Sequence, residues 1–86
     1  MSQRNKQFLA ILSGLRDKNI RFAELCGILE SIGFQCRIKG DHHIYYKAGI
    51  EEIINIQPLG NKAKAYQVKQ VRSIIQKYNL GVEGDV

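Results

Sequence analysis

The sequence predicts an α+β domain, a two-layer sandwich in which a three-stranded antiparallel meander carries helices on one face. Three observations predict it. Apolar residues recur at helical spacing near both ends of the chain, and between them they alternate with polar residues at period two. Glycine or proline punctuates each change of period. Across 86 residues, 44% apolar content with a single proline and no tryptophan fits one small core and excludes disordered and collagen-like chains.

The first helix is read over Gln3 to Leu15, where Phe8, Ile11, Leu12 and Leu15 form one stripe. A polar connector from Gly14 to Asn19 follows. The second helix is read from about Phe22 to Ile32, with Phe22, Leu25, Cys26, Leu29 and Ile32 on its apolar side and Gly33 as the left-handed stop. Gly27 lies inside it and weakens it slightly. In the first strand Phe34, Cys36 and Ile38 point inward, alternating with Gln35, Arg37 and Lys39. Gly40 and Asp41 turn the chain into a second strand with Ile44 and Tyr46 inward, opposed by His43, Tyr45 and Lys47, so the two runs form a hairpin. After a turn containing Gly49, a third strand spans Glu52 to Gln57 with Ile54 and Ile56 inward, Asn55 and Gln57 outward, and Ile53 a misfit on the outer face. Pro58 stops that strand, because it cannot donate to a ladder. Beyond a loop through Gly60 and Asn61, Val68, Val71, Ile74, Ile75 and Tyr78 make the stripe of a last helix, and Lys69, Arg72 and Gln76 face away. The cysteines, at periodic apolar positions, are expected in the core.

Thirteen basic against eight acidic residues give a net charge of +5. Its distribution is uneven. Residues 58 to 80 hold Lys62, Lys64, Lys69, Arg72 and Lys77 and no acid, so this stretch equals the whole excess and favours a polyanionic partner. No apolar run approaches the roughly 18 to 20 residues that cross a bilayer, and the N-terminus has no signal-peptide core, so a soluble cytoplasmic protein with no membrane partner is expected.

The chemistry-bearing group is Lys39-Gly40-Asp41-His42-His43. Zinc held by Cys26, Cys36, His42 and His43 is one reading, but neighbouring strand residues point to opposite faces and the spacing matches no zinc signature, so no metal or other cofactor is expected. Acid/base catalysis is a second, since imidazole accepts and donates protons near neutral pH. A pair of surface histidines on a turn is the third, and spacing alone favours it over catalysis.

From Leu25 to Leu80 the chain resembles the HicA family of type II toxins, bacterial mRNA interferases with a double-stranded-RNA-binding-domain-like fold. The resemblance rests on the helix ending Ile32-Gly33-Phe34, the basic strand Arg37-Ile38-Lys39, and Gly40-Asp41-His42-His43-Ile44-Tyr45. The short strand closed by Pro58 and the last helix with Arg72-Ser73-Ile74-Ile75 complete it. It implies an N-terminal helical extension over 1–20, the RNA-binding and cleaving domain over 21–80 and a tail over 81–86. It further implies metal-independent cleavage of single-stranded mRNA, with His42 as the catalytic residue, and neutralisation by a HicB-type antitoxin. Gly40 and His43 are then structural or auxiliary. Arg37, Lys39 and Lys47, read as outward beside His43 and Tyr45, are candidates to meet phosphate charge, and Tyr45 to stack on a base. Lys62, Lys64, Lys69 and Arg72 are the candidate phosphate contacts. Phe8, Phe22 and Phe34 are expected in the core, with Tyr46 and Tyr78 capping it. Asp41 replaces the serine usual in the family, and Leu59 follows Pro58 where many members carry histidine. A non-catalytic RNA-binding module of the same fold and a protein-interaction domain are the competing readings.

Overall fold

The computed structural model describes residues 3–82. Its order is α1 (Gln3–Ser13), a single 3-10 turn (Asp17–Asn19), α2 (Phe22–Ser31), β1 (Gln35–Lys39), β2 (His42–Tyr46), β3 (Ile54–Ile56), the short β4 (Pro58–Leu59) and β5 (Lys62–Ala63), and α3 (Ala65–Tyr78). The chain is thus an α+β domain with three α-helices and an antiparallel three-stranded sheet in the order β1-β2-β3. No helix among the described residues is long and apolar enough to cross a membrane. Residues 83–86 of the expected tail lie outside the described ones.

The helices end where glycine or asparagine permits positive φ. Gly33 (φ 101°) closes α2, with Phe34 N–H donating to the Leu29 carbonyl at 3.0 Å, and Asn79 (φ 52°) closes α3 with Leu80 N–H donating to the Ile75 carbonyl at 3.0 Å. The helix α1 stops earlier than its stripe suggested, at Ser13, leaving Leu15 exposed beyond Gly14 (φ 73°). Gly27 leaves room on α2 for the Arg4 guanidinium, which a Cβ would meet. Pro58 ends β3 as expected, but the stretch read as a loop forms a second hairpin, β4-β5. That hairpin is tied back to the connector before α2, with Ala63 N–H donating to the Ile20 carbonyl at 2.9 Å and Phe22 N–H to the Asn61 carbonyl at 3.0 Å.

One core holds these elements. Ile11 and Ile20 from the N-terminal segment join Leu25, Ile28, Leu29, Ile32 and Phe34, the sheet residues Tyr45, Ile54 and Ile56, and Val68, Val71, Ile74 and Ile75 of α3. Residues 3–20 of the expected extension are therefore part of the packed body, while residues 1 and 2 lie outside the described ones. An ionic tether adds to this burial: Arg72 donates to both oxygens of Asp17, at 2.8 and 3.0 Å, and to the Ile11 carbonyl at 3.1 Å, with both side chains mostly buried.

The sheet faces differ from expectation in β2. The register pairs Cys36 with Tyr45, Ile38 with His43, Arg37 with Ile44 and Lys39 with His42. Directly opposed residues share a face, so Tyr45 and His43 turn toward the helices, while His42, Ile44 and Tyr46 turn away. Tyr45 is buried, its hydroxyl donating to Glu30 at 3.2 Å, and burial pushes that hydroxyl to a higher pKa. In β1 only the preceding Phe34 is covered. Ile38 is 63% exposed and Cys36 is exposed, because β1 is an edge strand that the helical layer does not reach. The Cys26 thiol is half-buried against the core, and desolvation raises its pKa.

Two stability measurements check these tethers. Arg72→Ala leaves a buried Asp17 carboxylate without its donors and is expected to cost about 2 to 3 kcal/mol in urea unfolding, since bonds to charged groups are the strong ones. The second concerns Glu52, which accepts from the Tyr78 hydroxyl at 2.6 Å and from Lys77 at 2.9 Å. Those donors lower its pKa from 4.5 to about 2. A depressed folded-state pKa contributes stability above about 4.5 that is lost as pH falls through about 2. Acid titration of unfolding midpoints should show this loss in the wild type, and Glu52→Gln should flatten that part of the profile.

Candidate active site

His42 opens β2 directly after a two-residue turn. Gly40 takes φ 63° at the first turn position, where glycine adopts without strain what an L side chain resists, and the turn sets Lys39 opposite His42. The same register puts Gln35, Arg37 and Lys39 of β1 and His42, Ile44 and Tyr46 of β2 on the sheet face turned away from the core. On β3, Ile54 and Ile56 point into the core, so Asn55, exposed beside Ile44, belongs to this outer face.

The imidazole is held at both nitrogens. Its Nδ1 lies 3.0 Å from Asn55 Oδ1, an acceptor that fits a proton at Nδ1. Its Nε2 lies 3.2 Å from Gln57 Nε2, a donor, so Nε2 presents its lone pair. These partners fit an Nδ1–H tautomer with its lone pair at Nε2 and a ring oriented from behind, the relation of base and orienting group found in acid/base sites. The Gln57 carboxamide also donates to Asp41 Oδ2 at 3.3 Å, while Asp41 Oδ1 lies 3.8 Å from His42 Nε2. Asp41 therefore lies against both the Gln57 amide and the Nε2 edge of the imidazole. The His42 side chain remains 45% exposed.

The other expected site residues divide into those on this face and those off it. Arg37 and Lys39 share it with His42, Lys39 as the direct cross-strand neighbour, and both are exposed. Arg37 also lies 5.9 Å from the Tyr46 ring centroid. Expected beside His43 and Tyr45, the two cations instead flank His42 and Ile44. Tyr45 is removed from the site by burial, and the aromatic on the outer face is Tyr46, which was expected to cap the core. His43 is half-buried, its ring set edge-on to Phe22 with centroids 4.9 Å apart, a packing role. Lys47 follows β2 and is half-buried.

The basic C-terminal segment is less free than its sequence implies. Arg72, expected to face away, is turned back onto Asp17, and Lys77 is paired with Glu52. Lys69 is exposed, Lys64 is half-buried at the N-cap of α3, and Lys62 on β5 is exposed with its amine donating to Asn19 at 3.3 Å. Among the described residues no group of three or more His, Cys, Asp or Glu side chains is gathered as metal ligands. His42 and His43 point to opposite faces of one strand, as alternation requires.

Asn55 and Gln57, the two partners of the ring, are site residues that reading the strands one at a time leaves as outward polar positions. Comparison with family models, curated proteins and solved structures gives no match.

The tautomer is directly measurable. In ¹H–¹⁵N correlation spectra at neutral pH, His42 is expected to show a single protonated Nδ1 and an unprotonated Nε2. Asn55→Leu is expected to remove that signature by deleting the acceptor; an unchanged pattern in the variant would contradict the assigned role of Asn55.

Proposed function

We propose that this chain is a metal-independent endoribonuclease of the HicA type, the toxin component of a type II toxin–antitoxin pair, with His42 as general base. The observation that carries the reading is the His42 ring, held through Nδ1 by Asn55, with its Nε2 edge at an exposed sheet face that also bears Arg37 and Lys39. The order α2-β1-β2-β3-α3, with helices on one side of a meander, supports a double-stranded-RNA-binding-domain-like fold.

In this reading the RNA supplies its own nucleophile. A ribose 2′-hydroxyl takes the place of the Gln57 N–H at Nε2 and gives its proton to the imidazole, while the 2′-oxygen attacks the adjacent phosphorus. The bond from phosphorus to the 5′-oxygen breaks, that oxygen takes up a proton from water, and the imidazolium returns its own proton to solvent. The products are a 2′,3′-cyclic phosphate and a 5′-hydroxyl. Charge building on the phosphate is met by Lys39 and Arg37, and the Gln57 amide, displaced from Nε2, supplies a further donor at the same place. Tyr46 offers an aromatic surface for an unpaired base, the role first assigned to Tyr45. Sequence-independent affinity comes from phosphate contacts by Lys39, Arg37 and the exposed Lys62 and Lys69, with Arg72 withdrawn into its ion pair. The expected protein partner is a HicB-type antitoxin, in the cytoplasm.

One observation favours a second reading, a non-catalytic RNA-binding module: the Nε2 lone pair is already engaged by Gln57. Purified protein incubated with end-labelled RNA separates the two. Cleavage leaving 2′,3′-cyclic phosphate ends, lowered roughly 10²- to 10⁴-fold by His42→Ala with RNA binding retained, is the expected outcome. Wild-type protein that binds RNA and leaves it intact establishes the binding module instead, and equal cleavage by His42→Ala removes His42 from the mechanism.

A further inference from the structure

We propose that Gln67, in the first turns of α3, is a positioning residue for His42 that acts through Gln57. This rests on the reading of His42 as the base, but its own readout is the state of the ring. Gln67 is 1% exposed and is the buried polar side chain among the described residues, at a helix position flanked by buried Val68 and Val71. Burying a carboxamide is unfavourable unless both its donor and its acceptor are bonded, and an aliphatic side chain fills such a site without that demand.

The bonds it makes indicate its purpose. With its amide oriented to satisfy both atoms, Gln67 oxygen accepts from the Gln57 N–H at 3.1 Å and its nitrogen donates to the Gln57 carbonyl at 3.2 Å. One side chain thus pairs with both main-chain groups of Gln57, as a neighbouring strand would. That position needs an anchor. The ladder between β2 and β3 ends at the His43–Ile56 pair, and the next residue, Pro58, has no N–H to give.

With its main chain clamped, Gln57 projects its carboxamide to His42 Nε2 at 3.2 Å and to Asp41 at 3.3 Å. Three links therefore run from the buried helix face to the basic nitrogen: α3 holds Gln67, Gln67 holds the backbone of Gln57, and the Gln57 amide holds the Nε2 side of the ring. Asn55 holds the Nδ1 side independently. Loosening the clamp lets the Gln57 amide drift and admits the second tautomer without touching either ring nitrogen directly.

The test uses the full chain with ¹⁵N-labelled histidine and the near-isosteric variant Gln67→Met. Expected is a folded protein in which the His42 ring-nitrogen signals move toward tautomer-averaged positions. RNA affinity is unchanged and cleavage slows roughly 10- to 100-fold, the scale of a misplaced reacting group. In a Gln57→Ala background, Gln67→Met should add no further shift, because the link it acts through is gone. Folded Gln67→Met with wild-type His42 signals, or an additional shift in that background, overturns the proposal. If Gln67→Met does not fold, hydrogen exchange on the wild type decides: the Gln57 amide should be protected, and exchange at the rate of an open amide overturns the clamp. Intact RNA with wild-type protein would refute the nuclease reading while leaving these ring and exchange measurements to decide the role of Gln67.

Discussion

The Gly40-Asp41 turn is the constraint on which the outer face of the sheet depends. A two-residue connection sets Lys39 directly opposite His42, and from that pair every other cross-strand partner in β1 and β2 follows. Moving the register by one residue would turn His42 toward the helices and bring Tyr45 out. The left-handed conformation of Gly40, accessible to glycine without steric strain, thus decides which imidazole meets solvent and which packs on Phe22. Burial of Tyr45, Ile54 and Ile56 holds the same register from the other side of the sheet, so turn geometry and hydrophobic burial favour one answer.

A second layer of organisation is electrostatic, and it redistributes the basic segment. Residues 58 to 80 carry no acid of their own, yet the fold brings Asp17 to Arg72 and Glu52 to Lys77. The former pair is mostly buried and fastens α3 to the N-terminal segment. The latter, reinforced by the Tyr78 hydroxyl, joins the end of α3 to the approach of β3. Two of the five cations in that stretch therefore serve the architecture. The positive charge beside His42 comes instead from β1, through Arg37 and Lys39, from a strand whose five residues are all exposed.

Much of the fold was legible in the residues because single elements carry strong periodic signals. The presence of three helices, the order of the meander, Gly33 as the end of α2 and the inward pair Ile54 and Ile56 stand as read, while α1 ends at Ser13 and β3 is confined to Ile54–Ile56. The inner face of β2 was not legible from β2 alone, because His42-His43-Ile44-Tyr45-Tyr46 offers bulky side chains to both faces. Combining β1 with a two-residue turn would have resolved it, since an inward Cys36 requires an inward Tyr45 and places His42 with Lys39. Strand alternation also says which way Ile38 points but not whether anything covers it. The partners of Arg72 and Lys77 lie 55 and 25 residues away, beyond any local pattern. Of the site, Arg37 and Lys39 came from strand alternation, and His42 was singled out by the family resemblance. Asn55, Gln57 and Gln67 emerge only when β3 and α3 are packed beside β2.

In the proposed function the uncovered sheet face presents His42, flanked by cations, to a strand of RNA. Titrating isotope-labelled protein with an oligonucleotide made uncleavable by 2′-deoxy substitution tests it most directly. Expected are chemical-shift changes centred on His42, Lys39, Arg37, Tyr46 and Asn55, with the His42 Nε2 signal among the most perturbed. Perturbations confined to the helical side of the molecule, with the His42 ring unmoved at saturation, would contradict it.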